Sequence, residues 1–193
     1  MSPDGPGIAS TGGPGGRSGG PGPESPGGPG AEGRIRVLSG EIIALLTARG
    51  GTLAVAESLT GGLLAAALTA VPGASAAFRG AVVAYATDLK TALLGVPAEL
   101  LDRHGAVHPA VAKAMAEGAR RRMGAAVAAA TTGVAGPDPE DGQPVGTVHI
   151  AVSAGGGTIA RALALSGDRH QIRVATVEQS LGLLMGVLRE DGI

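Results

Sequence analysis

Two short runs limit what this chain can fold into. TLAVAE (52–57) and the start of AAVAAATTGVAGP (125–137) carry no charged side chain until they end. A strand with no polar side is buried on both faces, so runs of this length and character belong inside a sheet covered by helices. The segments between them supply those helices. RIRVLSGEIIALLTAR (34–49) places its apolar residues at helical spacing and stops at Gly50-Gly51. LLAAALTA follows SLTGG and ends at Val71-Pro72-Gly73. AFRGAVVAYA (77–86) is predicted as a second strand, Asp88–Leu94 and Pro97–His104 as short helices. Pro109–Met123 is predicted as a longer helix with its proline in the first turn. GTVHIAVSA and TIARALALS flank Gly155-Gly156-Gly157 and read as an antiparallel hairpin, and residues 169–189 as a closing helix. Strands that alternate with helices before a hairpin predict an α/β fold, a three-layer α/β/α sandwich with a mixed sheet.

This domain is expected over residues 34–193. Residues 1–33 hold 13 of the 35 glycines and 7 of the 13 prolines, with almost no large apolar side chain. Such a segment cannot bury enough surface to offset the entropy of ordering, so a disordered Gly/Pro-rich arm is expected there. It lacks the basic start and apolar stretch of a secretory signal.

Composition removes several classes of function. A net charge of −1, one Tyr, one Phe and no Trp leave neither a basic footprint nor a stacking platform, so no nucleic-acid partner is expected. The apolar runs are too short or interrupted to span a bilayer, so no membrane partner is expected. Cysteine is absent, which removes disulfides and thiolate chemistry and fits a cytoplasmic location. The four histidines, His104, His108, His149 and His170, form no HExxH or tight pair, so no metal site is expected. The chain has no P-loop, no GxGxxG after a strand and no GxSxG elbow between a strand and a helix.

Ligands of open α/β sheets gather where strands end and helices begin. Three such junctions carry polar groups. In AESLTGG (56–62), Ser58 or Thr60 can cap the next helix, or the helix N-terminus can hold a phosphate or oxyanion. In AVVAYATDLK (81–90), the chain's only tyrosine, Tyr85, stands five residues before Lys90, one of two lysines against thirteen arginines. Thr87 is expected to cap a helix with Lys90 in its first turn. The helix dipole and partial burial would there favour a neutral amine able to take a proton from a serine. A solvated lysine beside a half-buried tyrosine is the plainer alternative. In TTGVAGP (131–137), Thr and Gly at a strand end suit backbone contact with a phosphate or carboxamide, or form a simple turn. Asp138, Glu140 and Asp141 read as an exposed acidic loop, with a carboxylate near the site as the alternative.

AESLTGG, FRGAVVAYATDLKTALLGV, TTGVAGP, QPVGTVHIAV and GDRHQIRVATVEQSL occur in that order. Together they resemble the CinA C-terminal domain family, in its stand-alone nicotinamide-nucleotide amidase form, from Arg34 to Leu188. The resemblance implies an amidohydrolase that converts nicotinamide mononucleotide to nicotinate mononucleotide and ammonia. It implies Ser58 as nucleophile, Lys90 as its base and Tyr85 as a group that orients them or relays a proton. Loop chemistry adds Thr60, Gly61 and Gly62 as oxyanion donors, and Thr132, Gly133, Ala135 and Gly136 as holders of the ribose phosphate. The sequence departs from the family at Leu59, where Cys is common, at DPEDG, where glycines are usual, and at Gln143, where a lysine often stands. Arg169 or Arg173 is then the expected anion partner. A small-molecule nucleotide is the expected partner, no cofactor is needed, and the resemblance implies a homo-oligomer. The competing reading is a non-catalytic pyridine-nucleotide-binding module.

Overall fold

The computed structural model describes Met1 and residues 30–190. In chain order the elements are α1 (Ala31–Arg49), β1 (Leu53–Glu57), α2 (Leu63–Thr69), β2 (Phe78–Val83), α3 (Thr87–Leu94) and α4 (Ala98–His104). There follow α5 (Pro109–Arg122), β3 (Val127–Gly133), β4 (Thr147–Ala154), β5 (Gly157–Ala164) and α6 (Arg169–Glu190). The sheet order is β2-β1-β3-β4-β5. β1 runs parallel to β2 and β3, and β4 lies antiparallel to both β3 and β5, so the sheet is mixed. Helices cover both faces, giving the α/β/α sandwich that the fully buried β1 and β3 require.

The two faces differ in bulk, because neighbouring residues of a strand point opposite ways. Leu53, Val55, Val127, Val148, Ile150 and Val152 face α1, α2 and α6, where Ile42, Leu46, Leu64, Leu181 and Leu184 complete the larger core. Ala54, Ala56, Ala128, Ala130 and Ala151 form the opposite face, against Val111, Met115 and Ala119 of α5. A sheet face made of methyl groups lets the covering helix lie close. The same economy recurs between helices: a Cβ on Gly118 of α5 would stand 2.0 Å from the Leu94 carbonyl oxygen of α3.

Two expectations need correction, and one element is added. α1 begins at Ala31, so residues 31–33 are helix rather than arm; Glu32 in the first turn suits the positive end of the helix dipole. Of the expected arm, residues 2–29 lie outside the described residues. Thr87 is the first residue of α3 and not its cap; Ala86 holds the cap position without a side-chain hydrogen bond. A 3-10 turn at Ala74–Ala76, too short to leave a periodic signal, precedes β2. Among the described residues no helix is long and apolar enough to cross a membrane.

Candidate active site

The parallel strands β1 and β3 end side by side, and their last residues open the site. Glu57, fully buried at the end of β1, turns its carboxylate onto the N-terminus of α2. It accepts hydrogen bonds from the amides of Gly62 (2.9 Å), Leu64 (3.1 Å) and Ala65 (2.8 Å). A helix start leaves such donors unpaired, and one carboxylate here satisfies three of them. The Ser58 amide donates to the Thr131 carbonyl (3.1 Å), and the Thr60 and Thr131 hydroxyls pair at 2.8 Å. From α6, Arg173 donates to the Leu59 (3.0 Å) and Thr60 (2.8 Å) carbonyls. The loop that carries Ser58 is therefore held by β3, α2 and α6 at once.

This bonding corrects the reading of AESLTGG. Neither Ser58 nor Thr60 caps α2, because Glu57 does. The Gly62 amide is spent on Glu57 and the Gly61 amide on the Ser58 carbonyl, so neither glycine can be an oxyanion donor as folded. The Leu59 and Thr60 amides have no partner among the described residues, and Leu59 lines the cavity described below. Arg173 is a clasp on the loop rather than an anion partner at the cavity.

Lys90 reaches the same point from the first turns of α3 and is only 1% exposed. Its Nζ lies 3.2 Å from Ser58 Oγ, 3.0 Å from the Ala84 carbonyl and 3.4 Å from the Tyr85 carbonyl. Burial pushes its pKa down, while the Glu140, Asp141 and Asp88 carboxylates push less strongly the other way. A neutral amine has two N–H donors and one lone pair. The two carbonyls match the donors, which leaves the lone pair for the Ser58 hydroxyl. The arrangement can thus take a proton from Ser58 without moving.

Tyr85 takes part differently from the expectation. Its carbonyl meets Lys90, but its side chain is 55% exposed and its hydroxyl accepts from Arg169 Nη2 (2.7 Å). No hydrogen bond joins that hydroxyl to Ser58 or Lys90 in the folded chain. Arg169 Nη1 also donates to the Gly136 carbonyl (2.5 Å), so Arg169 ties Tyr85 to the TTGVAGP loop.

Between these groups lies a cavity of about 70 Å³. Ser58, Tyr85 and Lys90 line it, together with Thr132, Gly133, Ala135, Gly136 and Arg169 among the expected binding residues; Thr60, Gly61, Gly62 and Arg173 do not. The Thr132 hydroxyl donates to the Ala106 carbonyl (2.7 Å), committing its hydrogen to the wall. Gly133 and Gly136 are glycines for want of room: a Cβ would lie 2.6 Å from the Thr147 oxygen at the first and 2.9 Å from Val145 Cγ1 at the second.

One alternative that the sequence left open is met, and one feature escaped it. Asp138 and Glu140 are exposed, as read, yet both line the cavity. Their loop is drawn in by Asp141, whose Oδ2 accepts from the Ala106 amide (2.9 Å). The position of DPEDG directly after TTGVAGP was the available signal. Behind the wall, His104 and His108 stack with ring centroids 4.1 Å apart, and His149 stands 6.5 Å from His108. Spacing along the chain could not show this, because His149 arrives from β4 opposite Thr132. Burial lowers the His108 and His149 pKa values, and among the described residues no three His, Asp or Glu are placed to hold a metal ion.

Fold and site define an α/β domain that presents a serine and a buried lysine together at the ends of its parallel strands. The chain belongs to the CinA C-terminal domain family, whose model matches residues 36–188. It is similar to CinA-like proteins of Frankia casuarinae and Anaeromyxobacter, each 53% identical over 151 residues. These matches cover 78% and 77% of this chain and 35% and 36% of the relatives. The chain thus spans about a third of the length of the curated relatives it matches. Among solved structures it is similar to the competence/damage-inducible protein CihA of Agrobacterium tumefaciens, with a TM-score of 0.78 at 40% identity, over 80% of this chain and 96% of that one. The competence damage-inducible protein A of Klebsiella pneumoniae matches with a TM-score of 0.78 at 37% identity, over 81% and 98%.

Proposed function

We propose that the protein is an amidohydrolase that deamidates nicotinamide mononucleotide through Ser58 and Lys90. The observation that carries this reading is the buried Lys90 amine 3.2 Å from Ser58 Oγ, at the wall of a cavity. Lys90 takes the Ser58 proton as Oγ bonds to the amide carbon. The tetrahedral oxyanion faces the Leu59 amide, the uncommitted donor at the cavity. Lys90 returns the proton to the leaving nitrogen, the C–N bond breaks and ammonia departs, leaving the acyl ester on Ser58. A water, deprotonated by Lys90, then attacks the ester, and the acid leaves as Ser58 regains its proton. The carboxamide occupies the small enclosed volume, and the ribose phosphate lies over the rim near Arg169. Every step uses the chain's own groups, with no cofactor.

The test is incubation with nicotinamide mononucleotide and measurement of ammonia and nicotinate mononucleotide. Turnover is expected in the wild type and should vanish in Ser58→Ala. Lys90→Ala should lower kcat by about 10²–10⁴, with a smaller change in KM. Full turnover in Ser58→Ala would overturn the mechanism, and tight binding of the nucleotide without turnover would favour a pyridine-nucleotide-binding module.

A further inference from the structure

The wall of the cavity facing the serine and lysine is acidic. Asp138 and Glu140 both line it, and neither carboxylate has a hydrogen bond or ion pair among the described residues. Their neighbour Asp141 differs, because its carboxylate is spent on the Ala106 amide. That bond and the Glu140–Gln143 backbone pairing hold the loop in place. The cationic Arg169 also lines the cavity, but it bonds to the Gly136 carbonyl and the Tyr85 hydroxyl rather than to either acid. Two unpaired carboxylates thus line a cavity whose lysine is driven toward neutrality by burial and whose arginine, though cationic, is bonded to neutral groups rather than to either acid. Negative charge at a mouth of this kind favours a cationic guest and opposes an anionic one.

We propose that Asp138 and Glu140 select a substrate that carries a fixed positive charge beside its amide, a pyridinium carboxamide rather than a neutral one. The selection rests on the amidase reading for the identity of the guest, but not for its physics. With the carboxamide against Ser58, the ring lies between the enclosed volume and the rim, where the two carboxylates stand. Charge on the ring is then paired with charge on the wall, and the phosphate end is left to Arg169. A neutral ring of the same shape gains nothing from the wall.

The direct probe is a pair of ligands that differ in ring charge: nicotinamide mononucleotide and its dihydro form, whose reduced ring is neutral. Dissociation constants for both are measured by calorimetry on Ser58→Ala, which stops turnover, and again after adding Asp138→Asn and Glu140→Gln. The Ser58→Ala protein should prefer the oxidised ligand roughly five- to tenfold, the scale of one to two partly screened charge pairs. The added substitutions should bring that preference to near parity while leaving affinity for the dihydro form unchanged, which also reports an intact site. An unchanged preference after the substitutions, or equal loss of both ligands, would overturn the proposal. Ammonia release by the wild type is read separately. No ammonia with a charge preference that the substitutions abolish would remove the amidase and keep the selection. Ammonia without any charge preference would remove the selection and keep the amidase.

Discussion

Lys90 is a side chain that works against the stability of the domain that holds it. Its pKa is lowered on folding, so between the folded value and the ordinary lysine value the unfolded chain binds a proton that the folded chain does not. Stability is therefore fullest above the ordinary lysine value and falls as pH drops toward the folded one. Lys90→Met should abolish turnover and raise Tm at neutral pH, and the gain in Tm should shrink in alkaline solution; scanning calorimetry across pH checks the sign. On the proposed mechanism the same lysine should set the rising limb of kcat/KM, below the ordinary lysine range. Glu140 pushes the Lys90 pKa up, so Glu140→Gln should move that limb to lower pH. A limb that moves upward would show that Glu140 acts by some route other than its charge. At this scale the sequence singled out the scarce lysine and the serine of AESLTGG, each beside a plainer alternative, and the fold brings the two within 3.2 Å. It was not legible for hydroxyls and amides, whose roles depend on which partner reaches them first. Tyr85 turns its hydroxyl to Arg169, and the Gly62 amide goes to Glu57.

The elements themselves follow the periodicities closely, because apolar spacing, Gly and Pro mark their limits locally. What periodicity does not report is how near two elements come. Gly118 looks like an ordinary interruption of α5, yet the Leu94 carbonyl of α3 occupies the place of its Cβ. Gly118→Ala should cost about 1–3 kcal/mol, the usual penalty of overpacking, read as a lower midpoint in urea with an unchanged slope. Because α3 carries Lys90, the same substitution should reduce turnover as it pushes that helix away. Gly182→Ala on α6, where a Cβ would meet nothing within 4 Å, is the matched control and should be neutral or slightly stabilising.

For the molecule as a whole, the hydrophobic residues of both cores lie, among the described residues, between Ile35 and Leu188. A chain that starts at Gly30 should therefore unfold cooperatively with a Tm within about 2 °C of the full chain and keep its turnover. Starting instead at Arg34 removes the first turn of α1, where the Arg34 amide bonds the Gly30 carbonyl, and should fray the helix that packs on α6. Thermal melts of the two truncations separate these outcomes. The sandwich was legible because two strands lacked any polar face. The shape of its site was not, since the acidic loop and the three histidines meet only after β3 and β4 have paired.

The carboxylate of Glu57 stands one residue before Ser58, the proposed nucleophile, and turns into the start of α2. A mutational screen scored only by product would rank Glu57 with Ser58 and Lys90, since losing the carboxylate frees three amides and lets the serine loop drift. Glu57→Gln scored also by melting temperature and ligand affinity should fall in a different group, with the protein softened and the reaction lost as a consequence. Inactivity at a position beside a proposed nucleophile is therefore poor grounds for assigning chemistry to it, and here the neighbour serves as the foundation on which the Ser58 loop is set.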